Sequence, residues 1–539
     1  MWRHLQYICF LLLVISDFFV QVFICFDESG EAMKRTQLFF VNAMIMTATS
    51  MTANGAGVWF NLYVSERLGA ESMGIYQLIL SVYTFTVTLA SAGIHLAATR
   101  IVAEEIAVTG GKTVRPSMAV CLLYSLTFGI GAGLLLYFAA PFIGNCWLAH
   151  KETILPLQVM ALSMPLLSVS TALGGYFTAV RRIIKPAAAQ ILEQILRILF
   201  TVIAFSFLFP VNDLQTGCLL LAAAGVVSEA ISFLFAWVLY VHDLHRYPAK
   251  GTGNGIVKRL LRISLPVAVS SYLRSGLTTA KNLMVPMRLQ AGGIGAAASL
   301  SMFGAVHGVA LPVILFPAAL LNSFSGLIVP EMAENSAKKL DVNRMVQKMT
   351  ALNLMVSLCV CGILFSFSKE LAQAVSGNPD VEIYIRLLAP VAPIMYLDTA
   401  VDCMLKGLDE QVAVMRYNVY DALASLAMVW VLLPLIGIKG YILMVCFSEL
   451  FNFALSFRRL LAVTGFQPDL IELVARPLLC AAIASVLVHT AYMKQWLPEG
   501  GVVWNAVMTA GSTIALYILL LWLAGAFSGQ KDFLRNPSA

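Results

Sequence analysis

The sequence predicts an all-α integral membrane protein with fourteen transmembrane helices. Hydrophobic residues make up 59% of the 539 positions and charged residues only 12%, against roughly half and a quarter in an average soluble domain. Apolar runs long enough to cross a ~30 Å hydrocarbon core recur along the whole chain. This composition excludes a soluble enzyme and a receptor with a sizeable extramembrane domain. The net charge of +6 does not indicate nucleic-acid binding, because the basic residues stand between the apolar runs.

Each predicted span contains about 17 to 27 mainly apolar residues, the length that an α-helix needs to cross a bilayer. In chain order the spans are Gln37–Tyr63, Gly74–Ala97, Ser117–Phe138, Ile154–Val180, Pro186–Phe209, Gly217–Val241, Ser264–Met287, Met302–Ile328, Thr350–Phe367, Tyr384–Leu405, Val412–Leu435, Ile438–Phe457, Pro477–Met493 and Val503–Phe527.

The distribution of lysine and arginine favours this even number of spans. If the segment before the first span is cytoplasmic, the cytoplasmic segments contain 23 of these residues and the outer loops contain 6. Cytoplasmic loops are enriched in lysine and arginine, and one missed or added span would abolish the bias. We therefore expect both chain ends on the cytoplasmic side of a bacterial cytoplasmic membrane.

A further apolar run, Leu5–Phe26, precedes the first span. A fifteenth helix or a cleaved signal peptide there would not suit the positions of Lys34 and Arg35, and a convincing small-residue cleavage site is lacking. We expect that translation begins at Met33, so that residues 1–32 are an untranslated or dispensable extension.

Short matches at a constant distance predict an internal duplication. Ile101-Val102-Ala103-Glu104 matches Ile328-Val329-Pro330-Glu331 at an offset of 227. Pro165 and Pro393 are 228 positions apart, and a Thr-Ala dipeptide begins six positions after each of them. The offsets indicate two parallel six-helix repeats plus two C-terminal helices, as in transporters that rock two lobes around a central cavity. The predicted parts are an extension (1–32), a first lobe (33–241), a cytoplasmic linker (242–263), a second lobe (264–465) and the last two helices with the tail (466–539).

Cations inside the spans are candidate substrate-binding residues, because each buried charge costs about 2.5–3.5 kcal/mol on insertion scales. Arg274 and Lys281 in the seventh span are seven positions apart, so they share one helix face. Asn54 and Asn61 repeat this step in the first span, and together the four residues predict a polar cavity for a phosphate or pyrophosphate. The alternative is that Lys281 extends to the outer interface and Arg274 pairs with a carbonyl or carboxylate.

Carboxylates inside the spans are candidates for ion coupling. Glu193 and Arg197 stand in the favourable order for an intrahelical pair, so they are either a coupling carboxylate and a substrate-binding cation or a self-neutralised structural pair. Asp398 and Asp402 are four positions apart in the tenth span, where adjacent carboxylates can bind the H⁺ or Na⁺ that drives transport. The alternative is that Asp402 faces Lys406.

The sequence indicates no catalytic residue, no metal site and no cofactor apart from a coupling Na⁺ or H⁺. The cysteines have no paired CxxC spacing, and His95 and His307 stand alone in apolar spans. Two glycine-rich segments, Gly129–Gly133 and Gly292–Gly295, lack the lysine of a phosphate-binding loop. We interpret them as sites of close helix contact.

Several stretches resemble the MOP (multidrug/oligosaccharidyl-lipid/polysaccharide) exporter superfamily. Leu68-Gly69-Ala70-Glu71-Ser72-Met73-Gly74-Ile75-Tyr76 resembles the LGAxxxGxY segment after its first helix. Gly174-Gly175-Tyr176-Phe177, Pro186 and Leu192–Arg197 resemble the GYFQG…P…LEQxxR pattern of its stage V sporulation protein B branch. Further likenesses to that branch are Gly308–Pro312, Phe316–Ala318, Leu387–Pro390 and Leu405–Leu408, and the likeness covers about Met33 to Phe457.

The resemblance implies a MOP/MATE-like fold and a flippase for a polyprenyl-pyrophosphate-linked saccharide or peptidoglycan precursor, used for spore cortex or envelope polysaccharide. Its pyrophosphate would be the anion for Arg274 and Lys281. Lipid II flippases of the superfamily carry arginines around the Gly-Phe step of the first helix, where this chain has Asn54 and Phe60. Either the seventh span supplies most of the positive charge, or the substrate differs.

We therefore predict a non-enzymatic flippase that works by alternating access, with the lipid-linked saccharide and the bilayer as partners. The alternative is a cation-coupled exporter of drugs or other small molecules with the same fold. A third hypothesis is a non-transporting scaffold that has cell-wall synthesis enzymes as partners.

Overall fold

The computed structural model is helical throughout the part of the chain that it describes, which confirms the predicted class. It describes residues 35–148, 150–182, 184–208, 214–245, 247, 255–319, 321–322, 332, 342–375, 379–496 and 502–524, with the backbone alone for 35–54. The extension predicted for residues 1–32 lies outside these ranges. The chain divides into two compact units, residues 1–48 and 49–539, and all the packing that follows lies within the second.

Eighteen α-helices occur in the described residues. They are α1 Arg35–Ser91, α2 Ile94–Thr109, α3 Val114–Phe142, α4 Ile154–Ala161, α5 Met164–Ala179, α6 Ile184–Ile203, α7 Leu214–Leu244, α8 Ile256–Ala291, α9 Ala296–Gly304, α10 Leu311–Leu315, α11 Val342–Ser366, α12 Ser368–Val375, α13 Pro379–Leu388, α14 Ala392–Gly407, α15 Gln411–Ile436, α16 Ile438–Thr464, α17 Arg476–Met493 and α18 Val502–Leu523. Single π-helical stretches adjoin them at Ile143–Trp147, Ala204–Leu208, Ala305–Ala310 and Ile471–Ala475.

Every predicted span overlaps one or more of these helices, but the number of spans differs from the prediction. Eleven helices of the described residues are long and apolar enough to cross a membrane, or twelve if the pair Lys151–Ala161 and Met164–Ala179, bent by 44°, counts as one span. One of them, Gly55–Val108, contains parts of the first two predicted spans. The charged helix α8 is not among them. The count of fourteen and the boundaries of the lobes therefore remain predictions.

The first two predicted spans separate at Gly69, inside α1. Gly69 has φ 82° and ψ 166°, a conformation that is open to glycine and costly for other residues. The chain therefore changes direction within the Leu68-Gly69-Ala70 motif while helix continues on both sides.

Small residues allow close contacts between helices, as interpreted for the segment Gly129–Gly133. A Cβ atom on Gly129 would lie 2.8 Å from Pro165 Cα, and one on Gly133 would lie 2.8 Å from the Ala161 carbonyl oxygen. The opposite face of the helix is open, because a Cβ on Gly131 would meet nothing within 4 Å. This segment thus brings α3 against the end of α4 and the start of α5.

A second close contact joins α1 to α9. A Cβ on Gly74 would lie 2.0 Å from the Leu300 carbonyl oxygen, and one on Gly304 would lie 2.4 Å from the Ala70 carbonyl oxygen. Both obstacles are backbone atoms, which cannot rotate away. The two helices meet here backbone to backbone.

Helix α8 is attached to different neighbours at its two ends. Near its start, Arg259 donates hydrogen bonds to Glu104 at 2.6 Å and to Glu105 at 2.9 Å, both in α2. Near its end, the Arg288 guanidinium donates to the Trp430 carbonyl of α15 at 2.9 Å and lies 4.0 Å from the centroid of the Trp430 ring. Helix α8 therefore links helices of the first predicted lobe to α15 of the second.

The residues that follow α5 and α14 at matching positions carry opposite charges. Arg182, after α5, contacts Asp243 at the end of α7, and Lys185 Nζ lies 3.6 Å from the same carboxylate. Glu410, after α14, accepts a bond of 2.6 Å from Arg459 in α16. Arg182 and Glu410 are 228 positions apart, the offset of the sequence repeat, whereas their partners Asp243 and Arg459 are 216 apart.

The contact at Gly304 predicts a large effect of a small substitution. Gly304→Ala forces α1 and α9 apart, and overpacking of this kind costs about 1–3 kcal/mol. Unfolding of the purified protein in detergent should therefore shift to lower denaturant concentration. Gly131→Ala is the matched control and should leave the midpoint unchanged or slightly raised. Equal midpoints for the two variants would contradict the close contact.

The buried carboxylate of Asp243 predicts a second effect on stability. Only 1% of its side chain is exposed, and removing one partner of a buried ion pair costs about 3–5 kcal/mol. Asp243→Ala should lower the free energy of unfolding by this amount. Glu152→Ala, which removes a half-exposed carboxylate, should change it by less than about 1 kcal/mol. An equally small change in the free energy of unfolding for Asp243→Ala would contradict a stabilising ion pair of Asp243 with Arg182 and Lys185.

Candidate functional site

Helix α8 separates a neutral face from a charged face. Tyr272, Ser275, Thr279 and Asn282 hydrogen-bond to α1 at distances of 3.1 to 3.2 Å, through Leu89, Thr88 and Ser81. Arg274 and Lys281 lie on another face, because each is two positions from a residue of the first set and a helix turns by about 200° over two residues. The predicted common face of the two cations is therefore present.

Neither cation is neutralised by a direct contact. Arg274 is exposed and Lys281 is half-buried. Among the described residues, neither forms a hydrogen bond or an ion pair. The prediction that these two cations lie free to receive an anion is compatible with this arrangement, and their role in binding stays a prediction.

Helices α8 and α15 pack in a fixed register beside Lys281. Arg288 contacts Trp430 and Gly292 packs against Pro434, both 142 positions apart, so Lys281 lies level with position 423.

Two carboxylates near this level interact electrostatically with Lys281, namely Asp421 in α15 and Glu449 in α16. Asp421 Oδ1 accepts a hydrogen bond of 2.6 Å from Ser448, which also receives one of 3.0 Å from Ser425. The Asp421 carboxylate is thus fixed by hydroxyl groups rather than by a cation.

The predicted pair of aspartates in α14 consists of two unequal residues. Asp402 accepts hydrogen bonds on both oxygens, at 3.1 Å from Ser456 and at 3.4 Å from Asn418, and Lys406 is an electrostatic partner. Asp398 accepts one bond, at 2.9 Å from Asn452 Nδ2. The second oxygen of Asp398 and the side-chain oxygen of Asn452 are buried without a partner in the described part of the chain.

The two aspartates therefore differ in what they could bind. A buried oxygen without a partner is costly, and two such oxygens on side chains that are hydrogen-bonded to each other suit a small cation. Asp398 has an oxygen available for such a cation, whereas Asp402 is satisfied by its neighbours, which favours the alternative that it faces Lys406. Among the described residues, no three His, Cys, Asp or Glu side chains surround one point.

The pair in α6 is formed as the residue order predicts. Glu193 Oε1 contacts the Arg197 guanidinium, and Glu229 of α7 is a further electrostatic neighbour. The Arg197 Nε atom is buried and has no hydrogen-bond partner among the described residues. This geometry favours the structural pair, while substrate binding by Arg197 and ion coupling by Glu193 stay predictions.

The structure describes the side chain of one of the two asparagines of the first span. The side chain of Asn54 lies outside the described part, so its predicted position opposite Lys281 is untested. Asn61 is half-buried. Nearby on the same helix, the Trp59 and Tyr63 rings are stacked at 5.5 Å, and Phe205 continues the stack at 6.3 Å from Tyr63.

Sequence reasoning missed the polar residues of α16. Ser448, Asn452 and Ser456 follow one another at steps of four, so they line one helix face, and each donates to an aspartate of α14 or α15. This spacing was the available signal. His307 was treated as isolated, yet its Nε2 contacts the Tyr441 hydroxyl at the start of α16.

Comparisons with known proteins agree with this architecture. Stage V sporulation protein B of Bacillus subtilis (strain 168) is 24% identical over 514 residues, which cover 93% of this chain and 98% of that protein. Lipid II flippase MurJ of the same organism is 20% identical, over 84% and 88% of the two chains.

Solved structures show the same fold. Lipid II flippase MurJ in an inward closed conformation superposes with a TM-score of 0.68 at 10% identity, over 91% of this chain and 100% of that one. An inward-facing multidrug resistance MATE family transporter of the MOP superfamily gives a TM-score of 0.62 at 14% identity, over 79% and 100%. The predicted MOP/MATE-like fold is thereby confirmed.

The family itself is shown by a match over more than half of the chain. The family model described as "Polysaccharide biosynthesis protein" matches residues 39–319. This region contains α8 with its two cations as well as the helices before it. The chain therefore belongs to the polysaccharide biosynthesis protein family, with the fold of the MOP superfamily.

Proposed function

We propose that the protein is a flippase that moves a polyprenyl-pyrophosphate-linked saccharide or peptidoglycan precursor across the bacterial cytoplasmic membrane by alternating access. Relatives named for stage V sporulation and as a lipid II flippase support this class of substrate and a use in spore cortex or envelope polysaccharide. Both chain ends would lie in the cytoplasm.

The observation that carries the proposal is the unpaired guanidinium of Arg274. It lies in the middle of a helix of membrane length, exposed and without a described ion-pair partner. A charge held there costs several kcal/mol unless it meets an anion or water. Lys281 on the same face extends the positive charge by two helical turns, which matches an elongated anion such as a pyrophosphate better than a single carboxylate.

The unpartnered oxygens of Asp398 and Asn452 support a site for an ion that drives the cycle. We propose that Asp398 with Asn452 binds this ion, Na⁺ or H⁺, and that Asp402 holds α14 against α15 and α16. A sodium ion suits the two free oxygens, and a proton would satisfy Asp398 alone. The exporter alternative uses the same fold and would use the same ion site for a different cargo.

Removing the positive charge of α8 tests the cargo. Arg274→Ala and Lys281→Ala should each reduce flipping of a polyprenyl-pyrophosphate-linked saccharide in proteoliposomes about tenfold or more, because a hydrogen bond to a charged group contributes about 1.5–3 kcal/mol. Polysaccharide or cortex formation in cells should fall in parallel.

Arg416→Ala is the matched control, since Arg416 is an exposed arginine near the start of α15. It should keep the activity, and all three variants should elute as folded protein in detergent. Full activity of both α8 variants would remove the pyrophosphate role.

The two aspartates of α14 test the ion site and separate the two cargo classes. Asp398→Asn should abolish the dependence of transport on the Na⁺ or H⁺ gradient, whereas Asp402→Asn should keep it and lower stability instead. The readouts are ion-gradient-dependent transport in proteoliposomes and the unfolding midpoint. If Asp398→Asn abolishes ion-dependent efflux of organic cations while lipid flipping is absent throughout, the protein is an exporter.

A further inference from the structure

The ammonium group of Lys281 lies between two groups of charges. Asp421 and Glu449 attract it from the side of the second half, and Arg274 repels it from two turns away on its own helix. On α15, Asp421 stands two positions from the level of Lys281, and on α16 Glu449 follows Ser448, which binds Asp421. Lys281 nevertheless forms no ion pair with any described residue. Its long, flexible side chain is therefore not fixed in either direction.

The packing of α15 against α16 fixes one of the two carboxylates while leaving the lysine free. Asp421 is held by Ser448 and, at 3.4 Å, by Ser425. Glu449 follows Ser448 in α16, is half-buried, and makes no hydrogen bond in the described part of the chain. The negative charge of Asp421 thus keeps its position when the Lys281 side chain turns.

A cation in this position has two possible counter-ions. Without substrate, its attraction to Asp421 and Glu449 stabilises it, since opposite charges interact strongly in a medium of low dielectric constant. An anionic headgroup near Arg274 offers a second attraction. Each interaction made with the carboxylates must weaken or end before Lys281 can contact the headgroup.

We propose that Lys281 is shared between the carboxylates Asp421 and Glu449 and the anionic headgroup of the substrate, so that the two carboxylates set the affinity for the headgroup. The proposal rests on the proposed function, because it takes a pyrophosphate lipid as the ligand. According to this proposal, Asp421 and Glu449 help to determine which headgroup binds, although neither carboxylate contacts the headgroup itself.

Direct repulsion is the competing explanation. A carboxylate near an anion lowers its affinity whether or not a lysine stands between them, and removing that carboxylate then raises the affinity in every background. Sharing predicts a gain that depends on Lys281. A double-mutant cycle measures this difference.

The experiment measures binding of farnesyl pyrophosphate to the full chain in lipid nanodiscs by calorimetry, with farnesol as the uncharged comparison. Glu449→Gln and Asp421→Asn should each raise the affinity for farnesyl pyrophosphate about fivefold to tenfold, and Lys281→Gln should lower it about tenfold, as expected for couplings between neighbouring charges. Farnesol binding should stay unchanged in all variants.

The decisive measurement is Glu449→Gln in the Lys281→Gln background, where the gain should shrink to less than about twofold. Lys281→Met provides a second neutral background in case the buried amide impairs folding. Glu472→Gln, which removes an exposed carboxylate far along the chain, is the control and should change nothing. Arg274 and His307, which also interact electrostatically with Lys281, remain unchanged in this cycle.

The possible outcomes distinguish this inference from the proposed function. If Glu449→Gln raises the affinity equally with and without Lys281, the carboxylates act by repulsion and the sharing is wrong, while the flippase proposal stands. If Arg274→Ala also leaves binding intact, or the wild-type protein does not bind farnesyl pyrophosphate better than farnesol, both proposals are wrong.

Discussion

The low dielectric constant of the bilayer is the constraint on which the arrangement of this protein depends. An ionisable side chain inside a membrane helix must find a partner, because water is not available to stabilise its charge. Most of the carboxylates follow this rule. Asp243 meets Arg182, Glu193 meets Arg197, and Asp421 is held by serine hydroxyls. Among the described residues, the guanidinium of Arg274 departs from this rule, since it has no ion-pair partner.

Helix α8 shows how one segment can serve two purposes. Its neutral face hydrogen-bonds to α1, and its charged face carries the cations toward α15. Its ends are tied to α2 through Arg259 and to α15 through Arg288. A shift between the helices of the first and second halves would therefore act directly on α8. If the proposed function holds, an anion bound at the middle of α8 would be mechanically connected to movement of the two halves.

The sequence predicted the helical membrane class and the common face of Arg274 and Lys281, because these depend on composition and on helical periodicity. It could not distinguish Asp398 from Asp402, since both stand at the same spacing in one helix. Their difference comes from Asn452 and Ser456, which belong to a helix some fifty residues later. Likewise, the attraction of Lys281 to Glu449 arises only when α8, α15 and α16 pack together. Contacts within a helix can be inferred from spacing, whereas contacts between helices require the fold.

The opposite charges at the matching positions 182 and 410 have a consequence for assembly. Arg182 contacts Asp243 of α7, whereas Glu410 accepts a hydrogen bond from Arg459 of α16. If α7 packed against the end of α14 during folding, Asp243 would meet Glu410 instead of a cation, and like charges repel each other. The sign of the charge at this position therefore favours the native pairing of each half with its own helix.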